Sequence, residues 1–170
     1  LEQKVASTGR LIVKLDRTVQ YSLVVYADNG DSNLSGIVSV SVTEVPDDAG
    51  DTIAEAAPIE LNMEQSACFN GTDDIDCFSF MTTTQNAFYS INFSNISVPD
   101  GLSVDLYNQK NVLEKQLTVE GSSNEECLLR LEKNQKYTLV VSGEYDSADA
   151  QYLFSVNLVQ DDTGNTIKDA

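Results

Sequence analysis

Histidine and tryptophan are absent from this 170-residue sequence, and proline and cysteine each occur only three times. Without histidine there is no Ser-His-Asp or Cys-His nucleophile and no histidine-ligated zinc site. Three cysteines are too few for a four-cysteine zinc site, and no glycine-rich loop suited to cradling phosphate occurs. Positive charge is also scarce, with 10 Lys plus Arg against 27 Asp plus Glu and a net charge of −17. Such a surface repels phosphate backbones and anionic headgroups, so no nucleic-acid partner is expected. No apolar run approaches the roughly 20 residues that a spanning helix needs, so no membrane insertion is expected either. The same acidity attracts cations, and it also keeps a secreted protein in solution. A carboxylate pair could serve glycoside hydrolysis, but the acidic clusters lie in turn-forming sequence. The chain is therefore expected to be non-catalytic.

What is present is repetition. DDAGDTIAEA at 47–56 returns as DDTGNTIKDA at 161–170, with six of ten positions identical. Upstream of the first copy lies KLDRTVQYSLVV (14–25), and upstream of the second RLEKNQKYTLVV (130–141). The offset is 114 residues in the acidic block (161 − 47) and 116 in the Tyr-Leu-Val-Val block (137 − 21), a two-residue difference that a surface loop absorbs. LEQK at 1–4 likewise resembles LEKQ at 113–116, with a shorter loop following. A period of about 115 residues is long enough for a self-sufficient core. The expected organisation is the C-terminal strands of one repeat at 1–45, a complete module at 46–160 and the start of a third at 161–170.

Within the complete module, short β-prone runs alternate with polar breaks. Strands are expected at 58–62, 66–69, 76–82, 87–93, 102–107, 113–118, 126–131, 137–142 and 152–159. Phe88, Ser90 and Asn92 alternate with Tyr89, Ile91 and Phe93; Leu102, Val104 and Leu106 alternate with Ser103, Asp105 and Tyr107. A period of two marks strands with one buried face. NGTDD, PDG, NQK and EGSSN are turn formers. Many short strands and no convincing amphipathic helix predict an all-β fold, an antiparallel β-sandwich. In 1–45 only LIVKL, YSLVVYA and GIVSVSV have strand character. Three strands cannot bury two apolar sheet faces, so they are expected to pack on neighbouring repeats or on a second copy in a strand-exchanged homodimer.

Cys68 and Cys77 flank FNGTDDID and could be bridged across a hairpin. Alternatively Cys68, Cys77 and Cys127 are small buried apolar residues, a reading favoured by Leu11, which occupies the place of Cys127 in the upstream copy. Four N-x-S/T sequons, at Asn33, Asn70, Asn92 and Asn95, are about what a sequence rich in Asn, Ser and Thr produces by chance.

The acidic stretches carry the most chemistry. VPDDAGDT sets Asp47, Asp48 and Asp51 around a glycine, and GTDDIDCF sets Asp73, Asp74 and Asp76 in a turn before a strand. Calcium takes six to eight oxygens from flexible, carboxylate-rich backbone, and glycine permits the sharp turns that gather them. Neither stretch has the twelve-residue EF-hand spacing, and Asp, Asn and Gly favour turns whether or not a metal is bound.

The order DDAGDTIAEAAPI, a short strand, GTDDIDCFSF, and then strands ending in KYTLVVSG and YLFSVNLV resembles the bacterial pre-peptidase C-terminal domain family. The resemblance covers 47–160, with 1–45 as a tail and 161–170 as a head. It implies a jelly-roll sandwich appended to secreted or cell-surface peptidases and other surface enzymes, acting as a non-catalytic accessory or spacer. Similarity to collagenase members implies calcium held between the N-terminal linker and the turn before the Asp-aromatic strand. Residue by residue, that implicates Asp48 and Asp51 from the linker and Asp73 and Asp76 from the turn, with Asp47 and Asp74 near enough to substitute. The chain departs from the family in three places. Cys77 stands where an aromatic is usual, Asn134-Gln135-Lys136 replaces a glycine-rich lead into Tyr137, and Gly50 falls where the family often has Asn. The alternative role is a binding module for an extracellular protein fibre or polysaccharide, for which Tyr26, Tyr89, Tyr107 and Tyr145 are the candidate contact residues. Tyrosines partly buried at sandwich edges would account for the same pattern.

Overall fold

The computed structural model describes residues 13, 15, 18–25, 37–71, 74–83, 87–98, 100–120, 125–143 and 150–159. The chain divides into two compact units, Leu1–Pro46 and Asp47–Ala170.

Nine strands are assigned among the described residues of the second unit: β1 Ala57–Pro58, β2 Glu64–Cys68, β3 Ile75–Met81, β4 Ala87–Ser94, β5 Leu102–Asn108, β6 Leu113–Val119, β7 Glu125–Leu131, β8 Lys136–Gly143 and β9 Gln151–Val159. They form two sheets, ordered β1-β3-β8-β5-β6 and β2-β9-β4-β7. Apart from β1, the order is that of a jelly roll, in which consecutive strands cross between sheets and sequence-distant strands pair. β8 lies between β3 and β5, and β9 between β2 and β4, all antiparallel. The fold expectation therefore holds, with two corrections. The strand expected at 58–62 is only two residues long, because Pro58 brings no N–H and Asn62 adopts a left-handed φ of 62°. It also pairs parallel to β3, with Ala57 opposite Phe78, so that sheet is mixed.

The period of two sets the core. Phe78 and Phe80 of β3, Tyr89, Ile91 and Phe93 of β4, Val104 and Leu106 of β5, Tyr137, Leu139 and Val141 of β8, and Tyr152, Phe154 and Val156 of β9 all bury their side chains between the sheets. Phe78 meets Phe154 across the sandwich at a centroid distance of 4.6 Å, and Phe93 stacks on Phe154 at 5.8 Å. These offset and tilted pairs add to the area they bury. Buried tyrosines keep their hydroxyls bonded: Thr83 N–H donates to Tyr89 Oη at 2.9 Å, and Glu132 N–H donates to Tyr137 Oη at 3.2 Å. Asn134, where a glycine was expected, has a φ of 52°, a conformation that Asn tolerates better than most residues. Gly101, at φ 86°, has no such substitute, since a Cβ there would lie 2.2 Å from the Val119 carbonyl oxygen.

In the first unit no strand is assigned among the described residues, and the apolar side chains from Leu15 to Val25 and from Ile37 to Val45 are exposed or half-exposed. Residues 11, 12 and 14 of LIVKL, Tyr26 and Ala27 of YSLVVYA and Gly36 of GIVSVSV lie outside the described residues, as does 161–170, the expected start of a third repeat.

Candidate metal centre at the acidic end of the sandwich

Two segments converge beside the start of β3. The first is 47–56, tied down by its backbone. The Cys77 N–H donates to the Gly50 carbonyl at 2.9 Å, forming an isolated bridge, and the Cys68 N–H donates to Asp48 Oδ2 at 2.9 Å. The segment then turns, with Glu55 N–H donating to the Thr52 carbonyl at 3.0 Å and the Thr52 hydroxyl donating to Glu55 Oε2 at 2.8 Å. A Cβ on Gly50 would fall 2.3 Å from the Glu55 carbonyl oxygen. That close approach explains why glycine stands here.

The second segment is the turn into β3. Asp74 Oδ2 accepts the Asn70 N–H in a short hydrogen bond, and its Oδ1 accepts the Ile75 N–H at 3.1 Å. Asp76 follows on the core-facing side of β3, opposite Val141, and is fully buried. Its Oδ2 accepts the Tyr152 hydroxyl at 2.5 Å, and its Oδ1 has no hydrogen-bond partner. A buried carboxylate oxygen left unbonded is costly, and such groups are rare in folded proteins.

Asp47, Asp74 and Asp76 each place one carboxylate oxygen within 4.8 Å of the others'. The charges that bear on Asp76, from Asp48, Asp74 and Asp47, are all negative. Burial, reinforced by those charges, pushes the Asp76 carboxyl up to about 7 despite the opposing Tyr152 hydrogen bond. Burial likewise raises Asp48 and Asp74, and carries the Tyr152 phenol well above its ordinary value. Together these features describe an acidic cluster in which, among the described residues, every charge that bears on Asp76 is negative. Its donors are all oxygens, which suits a hard divalent cation and excludes a soft-metal thiolate site. Burial and the Asp76 charge raise the neighbouring Cys77 thiol to about 11, so it is not a thiolate. All three cysteines are free, which leaves the packing reading for buried Cys77 and no bridge between Cys68 and Cys77.

Of the six aspartates expected at the joint, the structure brings together Asp47, Asp74 and Asp76. Asp48 lies close by and commits one oxygen to the backbone of Cys68. Asp51 contributes its field, which raises Asp74 and Cys77, without joining the three-oxygen cluster. Asp73 lies outside the described residues. Tyr152 is the participant that the sequence did not reveal. Its position at the start of β9 marks it as a core residue, but its carboxylate partner is 76 positions away. Among the tyrosines considered for ligand contact, Tyr89 is buried in the core and Tyr107 is half-buried, its hydroxyl 3.4 Å from Asp105 Oδ2. Tyr26 and Tyr145 lie outside the described residues.

No protein-family model matches the chain, and no curated protein matches it. Among solved structures, the pre-peptidase C-terminal domain of collagenase from Bacillus anthracis is similar at 19% identity and a TM-score of 0.48. That similarity covers 67% of this chain and 99% of the other.

Proposed function

We propose that residues 47–159 form a non-catalytic accessory module of a secreted or cell-surface bacterial protein, and that the module binds one calcium ion through Asp47, Asp74 and Asp76. The observation that carries the metal reading is the Asp76 carboxylate, fully buried with Oδ1 left without a partner, and with one oxygen within 4.8 Å of a carboxylate oxygen of Asp47 and of Asp74. Three carboxylates supply part of the six to eight oxygens that calcium takes, with backbone carbonyls and water completing the shell. Because Asp47 belongs to the 47–56 segment while Asp74 and Asp76 belong to the β3 side, the ion would clamp the entering chain onto the sandwich. Binding to the folded state alone stabilises that state by mass action. The accessory role rests on the order of motifs along 47–160 and on the absence of histidine-based catalytic machinery from the sequence.

Calorimetric titration of calcium into metal-stripped protein tests this reading. A saturable one-site heat is expected, lost in Asp76→Asn, whose shape is nearly that of the wild type. No heat in the wild type, or equal heat in both proteins, would overturn it.

A further inference from the structure

The internal repeat gains a physical meaning once the second copy is seen folded. At an offset of 116, Leu15, Tyr21, Leu23 and Val25 correspond to Leu131, Tyr137, Leu139 and Val141. The same offset carries Val38, Val40 and Val42 onto Phe154, Val156 and Leu158, with Ser39 falling on Ser155. In the second unit the first four of these positions are 0–5% exposed and lie in the core at the end of β7 and along β8. Phe154 and Val156 are equally buried on β9, and Leu158 packs against the same core. In the first unit the counterparts Leu15, Tyr21, Leu23 and Val25 are 49–65% exposed, and Val38, Val40 and Val42 are 54–83% exposed.

What differs is the set of neighbours. β8 is held on both sides, by β3 and β5, and β9 by β2 and β4. All four of those partners precede β6 in the chain. LEQK at 1–4 resembles LEKQ at 113–116 in β6, so the repeat recognised within residues 1–46 covers counterparts of β6 onward. The sequence therefore repeats the strands that need flanking without repeating, within residues 1–46, the strands that flank them. The second unit offers no substitute slot, because its own β8 and β9 already fill the places between β3 and β5 and between β2 and β4.

We infer that Leu15, Tyr21–Val25 and Val38–Val42 are the counterparts of the β7 end, β8 and β9 in a second sandwich, and that their apolar faces are made to be covered by strands equivalent to β1–β5. The partner is thus a stretch of the chemistry of residues 47–112: a two-residue edge strand, then four alternating strands that place aromatic and branched side chains on one face. This inference does not depend on whether the acidic site holds calcium.

The test supplies strands of that chemistry. A second copy of residues 47–112 is fused ahead of Leu1 of the full 170-residue chain, and amide hydrogen exchange is followed for residues 21–25 and 37–42. In the extended protein these amides should slow by at least about 100-fold relative to the unextended chain, as expected when strands enter a cooperative core. Placing Leu23→Asp and Val40→Asp in the extended protein should return them to fast exchange and leave Tyr137–Val141 protected. Two results would overturn the inference: exchange at 21–25 and 37–42 that stays equally fast after the extension, or strong protection already present in the unextended chain. In the second case, a dimeric mass by sedimentation would assign the covering strands to a second copy.

Discussion

YSLVV at 21–25 and YTLVV at 137–141 are nearly the same sequence in very different settings. Leu139 is fully buried between two neighbouring strands, whereas Leu23 is 65% exposed. Alternation of apolar residues is a request for a partner, and the partner decides whether the request is met. Strand propensity mostly measures packing against cross-strand and same-face neighbours, and the first unit shows that pattern where no strand is assigned among the described residues. The largest predicted contrast follows directly. Leu139→Ala should destabilise the second unit by about 2–5 kcal/mol, through lost burial and a residual cavity. Leu23→Ala should change the stability of the 170-residue chain by no more than about 0.5 kcal/mol. Paired denaturant titrations of the two variants check this, and comparable losses would break the comparison.

The same contrast can be sharpened at the acidic joint. Gly50→Ala drives a methyl group into the Glu55 carbonyl and should cost about 1–3 kcal/mol, as overpacking does. The loss should appear in urea unfolding and be accompanied by faster exchange of the Cys77 amide, which is bonded to Gly50, with no change at 37–42. Tyr152→Phe removes the donor to Asp76 Oδ2 and leaves a second carboxylate oxygen unbonded, at a cost of about 1–3 kcal/mol at pH 8. Lowering the pH should recover part of that loss, since a protonated Asp76 tolerates the missing donor better. A pH-independent loss would point to packing alone. The smallest effect is expected at Tyr107→Phe, whose hydroxyl makes only a long 3.4 Å contact with Asp105 on the half-exposed side of β5. Its melting temperature should match the wild type within about 2 °C, the shift that corresponds to a few tenths of a kcal/mol.

The sandwich was legible because its information is local. Tyr89, Ile91 and Phe93 against Phe88, Ser90 and Asn92 mark a face and a strand without reference to anything distant. Where a reading failed, distance or backbone detail was decisive. That Ala57 and Pro58 pair parallel to β3 depends on where 47–56 is anchored, and nothing in PIELN records it. Both acidic stretches were recognisable, but not which carboxylates meet. Asp76 is turned inward by the pleat of β3, and Asp74 is aimed by the Asn70 and Ile75 amides. Asp47 is the linker acid that joins them although its Oδ1 accepts the Ala49 N–H at 3.2 Å, while Asp48 accepts the Cys68 amide outside the three-oxygen cluster. Tyr152 was visible only as one more core aromatic.

The pH dependence of stability, measured with and without calcium, bears most directly on the claim that these carboxylates form a cation site. In metal-free protein the Asp76 carboxyl, raised to about 7 in the folded state from an ordinary value of 3.8, binds its proton more tightly folded than unfolded. Its contribution is then fully present below about pH 4 and is lost as the pH rises through 7, so the melting temperature of the second unit should fall across that window. Calcium binds the deprotonated carboxylates, so with saturating calcium the fall should be cancelled or reversed, and the gap between the two curves should widen from pH 5 to pH 8. Two parallel curves over that range, with or without the metal, would contradict the account.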